Sequence, residues 1–155
     1  MRSEEFLTEK IADPEFFAEG RTDAHSGHVA YKSWNEEESG KSSFRFGLDG
    51  IWKFSWARCL EDAVKGFENT DYDCHHWEDI RVPAHAELEG YGKLGYQNIF
   101  YPWDGYEEIV PGQVPVNYNP TLSYVKYFDI PVSMRGKRLF ISFQCELPIK
   151  IATTL

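Results

Sequence analysis

The sequence predicts an all-β fold, a β-sandwich of the jelly-roll kind with an irregular N-terminal arm, and three observations lead there. Short stretches of alternating apolar and polar residues recur from residue 44 onward. Connections containing proline and glycine separate them. Aromatic residues make up 16% of the chain, more than a disordered chain carries, and they concentrate in residues 90–130. At 155 residues the chain is one domain by length, large enough to bury a core without disulfide staples.

Ser3 stands where it caps a short helix bearing Phe6, Leu7 and Ile11, which Pro14 limits from the C-terminal side. Residues 14–41 are polar and aperiodic, with an aromatic pair at Phe16 and Phe17. NEEESGKSS (35–43) reads as a solvated loop, because repulsion within its glutamate run favours exposure. In LDGIWKFSW, Asp49-Gly50 precede a strand with Trp52, Phe54 and Trp56 on one face, opposite Lys53 and Ser55. Trp52 and Trp56 therefore read as core. Residues 57–67 have helical character.

Ile80 and Val82 mark a short strand that Pro83 stops. Residues 124–130 alternate, with Tyr124, Phe128 and Ile130 on one face and Lys126 interrupting it. Leu139, Ile141 and Phe143 alternate with Phe140, Ser142 and Gln144. The tail CELPIKIATTL then loses the alternation. The expected organisation is an arm and loop over residues 1–43 and a sandwich domain over 44–155, with an atypical tail over 145–155.

The net charge of −9 argues against a nucleic-acid partner, since phosphate binding needs clustered Lys and Arg, and it disfavours an anionic membrane surface. No apolar run reaches transmembrane length. MRSEEFLTEK places acids where a signal peptide needs a basic and then an apolar segment. Cys59, Cys74 and Cys145 match no disulfide framework, so reduced thiols in a cytoplasmic protein are expected.

Cys74-His75-His76 with His85 suggests zinc, but adjacent residues on an extended chain face opposite ways and the second ligand pair is missing. A polar turn before Trp77 is the expectation. His25 and His28 lack the helical periodicity that would join them on one face. No nucleophile elbow or phosphate-cradling glycine loop is present. Glu87, Glu89, Asp104, Glu107 and Glu108 read as exposed loop acids, and no catalytic pair is nominated among them. Asn98, in YQNIFYP between Tyr96 and Phe100, reads either as an amide satisfying a turn or as a ligand for sugar hydroxyls beside aromatic faces.

Five segments in order resemble the N-terminal, sugar-binding-type domain of the β-galactosidases of glycoside hydrolase family 2. GRTDAHS resembles the NRxPAHS-like segment, with Gly20 in place of its asparagine. SFRFGLDGIWKFSW resembles the sLNGxWxFxW strand, and IRVPAHAELEGYGKLGYQNIFYPW resembles VPsnWqxxGyxxPxYtNvxYPf. VPVNYNPTLSYVKYFDIP resembles VPxxNPtGcYxxxFxvP, and GKRLFISFQ resembles the strand that follows. The likeness covers about residues 13–144. Departures are Ala86 at the expected tryptophan and Leu122-Ser123 at the expected glycine and cysteine.

The resemblance implies a galactose-binding-domain-like jelly roll at the head of a multidomain enzyme that hydrolyses terminal β-D-galactosides. It implies that Asn98 helps hold the galactosyl group, that Ile99 lines the same pocket, and that this chain has no catalytic residue and no cofactor of its own. The acid/base and nucleophile glutamates and the magnesium ligands would lie in a later barrel domain. The expected partners are a galactoside and that barrel, or a complementing chain, with self-association through an exposed strand edge. The family continues with GVxSxxxxWxNG where CELPIKIATTL stands, so a truncated, incomplete domain is expected, an unusual natural terminus being the other reading. The alternatives in function are a free-standing carbohydrate-binding module and a strand-pairing interaction fragment.

Overall fold

The computed structural model describes residues 10, 12–93, 103–108 and 110–143. They form an antiparallel three-stranded sheet of order β2-β1-β3, with β1 at Gly50–Ala57, β2 at Glu78–Val82 and β3 at Thr121–Val125. Outside the sheet lie a short α-helix, α1 at Trp34–Ser39, and a 3-10 turn, Val132–Met134, and Lys10 and Ala12 are helical as well. None of these helices is long and apolar enough to cross a membrane.

Strand β1 is central, and its alternation places its side chains as expected. Trp52 faces Ile80, Phe54 faces Glu78 and Tyr124, and Trp56 faces Leu122 in the two registers. Phe54, Ile80 and Ala86 form the buried heart of the sheet, with Trp52, Trp56, Val82, Tyr91, Leu122 and Tyr124 packed around it. Phe54 is 1% exposed, and its burial contributes about 1.5–3 kcal/mol. Ala86 sits in this cluster, so the position of the family's tryptophan is a core position here.

On the opposite face Lys53 pairs with Asp79, its register partner, at 2.9 Å and donates to the Trp77 carbonyl. Trp77 is buried against Phe67 and Tyr72, at centroid distances of 5.3 and 5.9 Å. Strand β2 ends at Val82, where Pro83 has no N–H to continue the ladder.

The described residues divide into two compact units, one holding those within 10–20 and 49–126, the other those within 21–48 and 127–143. The sheet lies in the first. In the second, Phe46 packs on Phe128 at 6.2 Å and Lys137 lies over the Phe44 ring.

Four sequence expectations change. Residues 35–43 are not a plain loop, since most of α1 lies there. Ser33 caps its N-terminus by accepting from the Glu36 amide, and Gly40 closes the C-terminus in the left-handed region at φ 66°. The helix buries no residue, so the segment is solvated as expected. Residues 57–67 turn rather than coil. The stretch is too short to hold a helix unaided, and the Cys59 thiol donates to Asp62 in a local bend.

The strand expected over 124–130 begins earlier, at Thr121, and ends at Val125. Its register stops where Lys126 turns its ammonium to the Ile51 carbonyl at 2.8 Å. Residues 139–143 form no paired strand, and Leu139, Phe140, Ile141 and Phe143 are all exposed. Alternation assigns faces, but a ladder also requires a neighbour for its N–H and C=O groups. The expected N-terminal helix rests on Ser3, Phe6, Leu7 and Ile11, which lie outside the described residues, as do Gln144 and Cys145.

Candidate functional site

Three residues of the aromatic-rich stretch, Gly92, Tyr106 and Tyr118, lie near the C-terminal end of β1. Gly92 adopts φ 77°, and a Cβ there would lie 3.5 Å from the Trp56 indole nitrogen and 3.9 Å from the Tyr118 hydroxyl. The backbone of Gly92 thus fills the space beside both rings. Tyr118 stacks on Tyr106 at 4.2 Å between centroids and 13° between planes. The Lys93 ammonium lies 5.8 Å from the Tyr106 centroid, within cation–π range.

Two charged side chains lock the segment bearing Tyr118. Arg58 donates its Nε to the Asn117 carbonyl at 2.8 Å, and the Asn119 amide returns a bond to the Arg58 carbonyl at 3.0 Å. From the other side, the Glu107 carboxylate accepts the amides of Val116, Asn117 and Tyr118 at 3.1, 2.9 and 3.3 Å. The Asn117 side-chain amide adds a fourth contact at 3.4 Å. Desolvation pushes the Glu107 carboxyl up, but the three backbone donors together outweigh it and hold it below the ordinary glutamate range.

Asn98 and Ile99, the residues expected to meet substrate, lie outside the described residues. Their nearest described neighbours in sequence are Lys93 and Trp103. Trp52 meets Tyr124 edge-to-face at 6.5 Å and serves the core, as its alternation indicates. Glu87, Glu89, Asp104 and Glu108 are exposed. Glu107 is half-buried, and its anionic oxygens are committed to backbone donors rather than aimed at a second carboxylate. Sequence reasoning grouped Glu107 with the solvated acids. No periodicity signals a side chain that binds amides ten residues further along.

Cys74 is buried while His75, His76 and His85 are exposed, and the Trp77 amide closes a turn onto the Cys74 carbonyl. His25 Nδ1 donates to the Asp23 carbonyl, and His28 Nε2 pairs with Ser26 Oγ at 2.8 Å. Among the described residues no three His, Cys, Asp or Glu side chains converge as a metal site. A shallow hollow of about 90 Å³ lies beside Glu107, Glu108, Val110 and Gln113.

The family model of the glycosyl hydrolases family 2, sugar binding domain, matches residues 46–146. The β-galactosidase of Halalkalibacterium halodurans is 45% identical over 135 residues, covering 86% of this chain and 13% of that protein. The β-galactosidase of Streptococcus thermophilus is 39% identical over 142 residues, covering 89% and 14%. The β-galactosidase large subunit of Leuconostoc lactis is 34% identical over 146 residues, covering 86% and 23%. The chain therefore spans between 13% and 23% of the length of these relatives. The fold agrees with that assignment, because the antiparallel strands β1, β2 and β3 all fall within the matched residues. The chain belongs to the sugar binding domain family of the family 2 glycosyl hydrolases.

Proposed function

We propose that this chain is the N-terminal, non-catalytic domain of an enzyme that hydrolyses terminal β-D-galactosides. It braces a catalytic barrel, on the same polypeptide or on a complementing chain, and supplies Asn98 and Ile99 to the substrate pocket. The observation that carries the reading is the family match over residues 46–146, which includes the YQNIFYP segment within an aromatic-rich region. An asparagine amide gives one sugar hydroxyl an acceptor and another a donor, while neighbouring rings cover C–H faces. Hydrolysis itself needs two carboxyl groups at a defined separation, and in this reading the barrel contributes both, along with any magnesium.

The test is an exchange. This chain replaces the corresponding segment of a relative 45% identical to it, and turnover of a nitrophenyl β-D-galactoside is measured. The exchanged enzyme should turn over, and Asn98→Ala should lower its kcat/KM by about tenfold or more, the loss expected for a hydrogen bond to substrate worth about 1.4 kcal/mol. The 155-residue chain alone should not turn over. An exchanged enzyme that melts cooperatively yet lacks turnover would defeat the reading, as would turnover by the purified chain free of host enzyme.

A further inference from the structure

Residues 139–143, in the unit that holds 21–48 and 127–143, carry the side-chain pattern of a strand and lack a strand to pair with. They run without turn, bend or helix. Leu139, Ile141 and Phe143 alternate with Phe140 and Ser142, and all five residues are exposed. Among the described residues, no backbone hydrogen bond joins any of the five to a neighbour. The run is nonetheless anchored at its start. Met134 is buried, the Lys137 amide donates to the Met134 carbonyl at 3.2 Å, and the Lys137 ammonium lies 5.0 Å from the Phe44 centroid. A contiguous apolar run with open N–H and C=O groups is a template for another strand, unlike single apolar residues scattered over a surface.

Charge selects which strand. Arg135, Lys137 and Arg138 precede the run, and no acid stands between Ile130 and Phe143. With those three set aside, the remainder of a −9 chain carries −12, so a second copy offers an acidic surface to this basic approach. Direction follows from like charge. Parallel pairing of two copies in register would hold Arg138 about 4.8 Å from its own counterpart. Antiparallel pairing sends the two basic runs to opposite ends. It also matches the side chains. Centred on Ile141, it sets Leu139 opposite Phe143 and Ile141 opposite itself, with Phe140 opposite Ser142 on the other face. We propose that residues 139–143 pair antiparallel with the same residues of a second copy, about a two-fold axis at Ile141. Such an axis presents one surface from both chains, so the contact closes as a dimer. The proposal goes beyond the galactosidase reading and does not depend on it, because association is read without substrate.

Sedimentation velocity on the 155-residue chain should pass from monomer to dimer between about 1 μM and 1 mM. Ile141 is exposed, so its replacement leaves the core intact. Ile141→Lys and Ile141→Glu each place like charges across the axis and should weaken association by about tenfold. An equimolar mixture of the two should recover the dimer, since only a contact of residue 141 with its own counterpart pairs lysine with glutamate. Amide hydrogen exchange by NMR needs no variant, and protection at 139–143 should rise with concentration in the unaltered chain. A chain that stays monomeric across the range, with unchanged exchange, overturns the proposal. Species larger than a dimer overturn the closed contact. A mixture no better associated than either variant alone overturns the two-fold register. A monomer that instead binds a relative's enzyme lacking its own N-terminal segment assigns the surface to the catalytic part and overturns the second copy.

Discussion

Tyr91 lies edge-on to Phe54, 4.5 Å between centroids at 64°, and donates its hydroxyl to Glu78, the residue opposite Phe54 in the β1–β2 register. One side chain therefore joins the turn after Pro83 to the sheet in two ways. Its ring covers the core, and its oxygen is bound at the strand edge. The Tyr91 amide also returns to the Ala86 carbonyl, which seats the whole turn on that core.

The two contributions are separable in urea unfolding. Phe54→Ala removes a ring that is 1% exposed and should cost about 3–5 kcal/mol. Tyr91→Phe keeps the packing, deletes one hydrogen bond and should cost about 1 kcal/mol. Equal losses would mean that the hydroxyl contributes as much as the ring packing.

Tyr91 should also ionise late. Its hydrogen bond to Glu78, then desolvation, then the charges of Glu78 and Glu89 raise its pKa above the ordinary phenol value. With the folded value above the unfolded one, its contribution to stability is complete below about pH 10 and disappears as pH rises through the folded value. Ultraviolet titration of Glu78→Gln should show one tyrosine ionising earlier than in the unaltered chain. Coincident titration curves would contradict the assignment.

Acid should loosen two loops. The amides of Lys32 and then Ser43 hold Glu36 below the usual glutamate range. At Glu107 desolvation acts upward and is outweighed by three amides. Both folded values lie below the unfolded one, so these contributions are present above about pH 4.3 and vanish as pH falls through the depressed values. Thermal melts across that range should flatten in a Glu36→Gln, Glu107→Gln double variant. A slope identical to that of the unaltered chain would assign acid sensitivity to other carboxylates.

Gly92 discriminates strain from crowding. A Cβ there meets the Trp56 nitrogen at 3.5 Å and the Tyr118 hydroxyl at 3.9 Å, ordinary contact distances, while φ 77° is costly for any L-residue. Gly92→Ala should therefore destabilise by about 1–2 kcal/mol, and Gly92→Asn by less, because asparagine tolerates the left-handed region. Equal or reversed costs in chemical denaturation would point to crowding instead.

Where burial follows from alternation, the sequence was readable. Trp52, Phe54 and Trp56 share a face because period-two spacing dictates it, and Ile80 and Val82 stop at Pro83 because proline cannot donate. Helix α1 was not readable in that way. Its glutamate run argued for an open loop, whereas Ser33, Gly40 and the Glu36 carboxylate supply enough local bonds to close a helix that buries nothing. Residues 139–143 show the opposite failure, with alternation in the sequence but neither a ladder nor a buried face in the structure. Glu107 escaped notice because its partners follow from a turn and a return of the chain, not from spacing. The expected pocket residues Asn98 and Ile99 fall outside the described residues.

Glu36 and Glu107 are gripped chiefly by peptide groups rather than by lysine or arginine charges, and this separates two kinds of chemical stress. Dissolved ions weaken attraction between opposite charges at a surface, such as Lys10 with Glu19, but leave short contacts to neutral donors nearly intact. A carboxylate needs only a proton to lose the same contacts. In brine these two loops should hold their shape, and in vinegar they should let go.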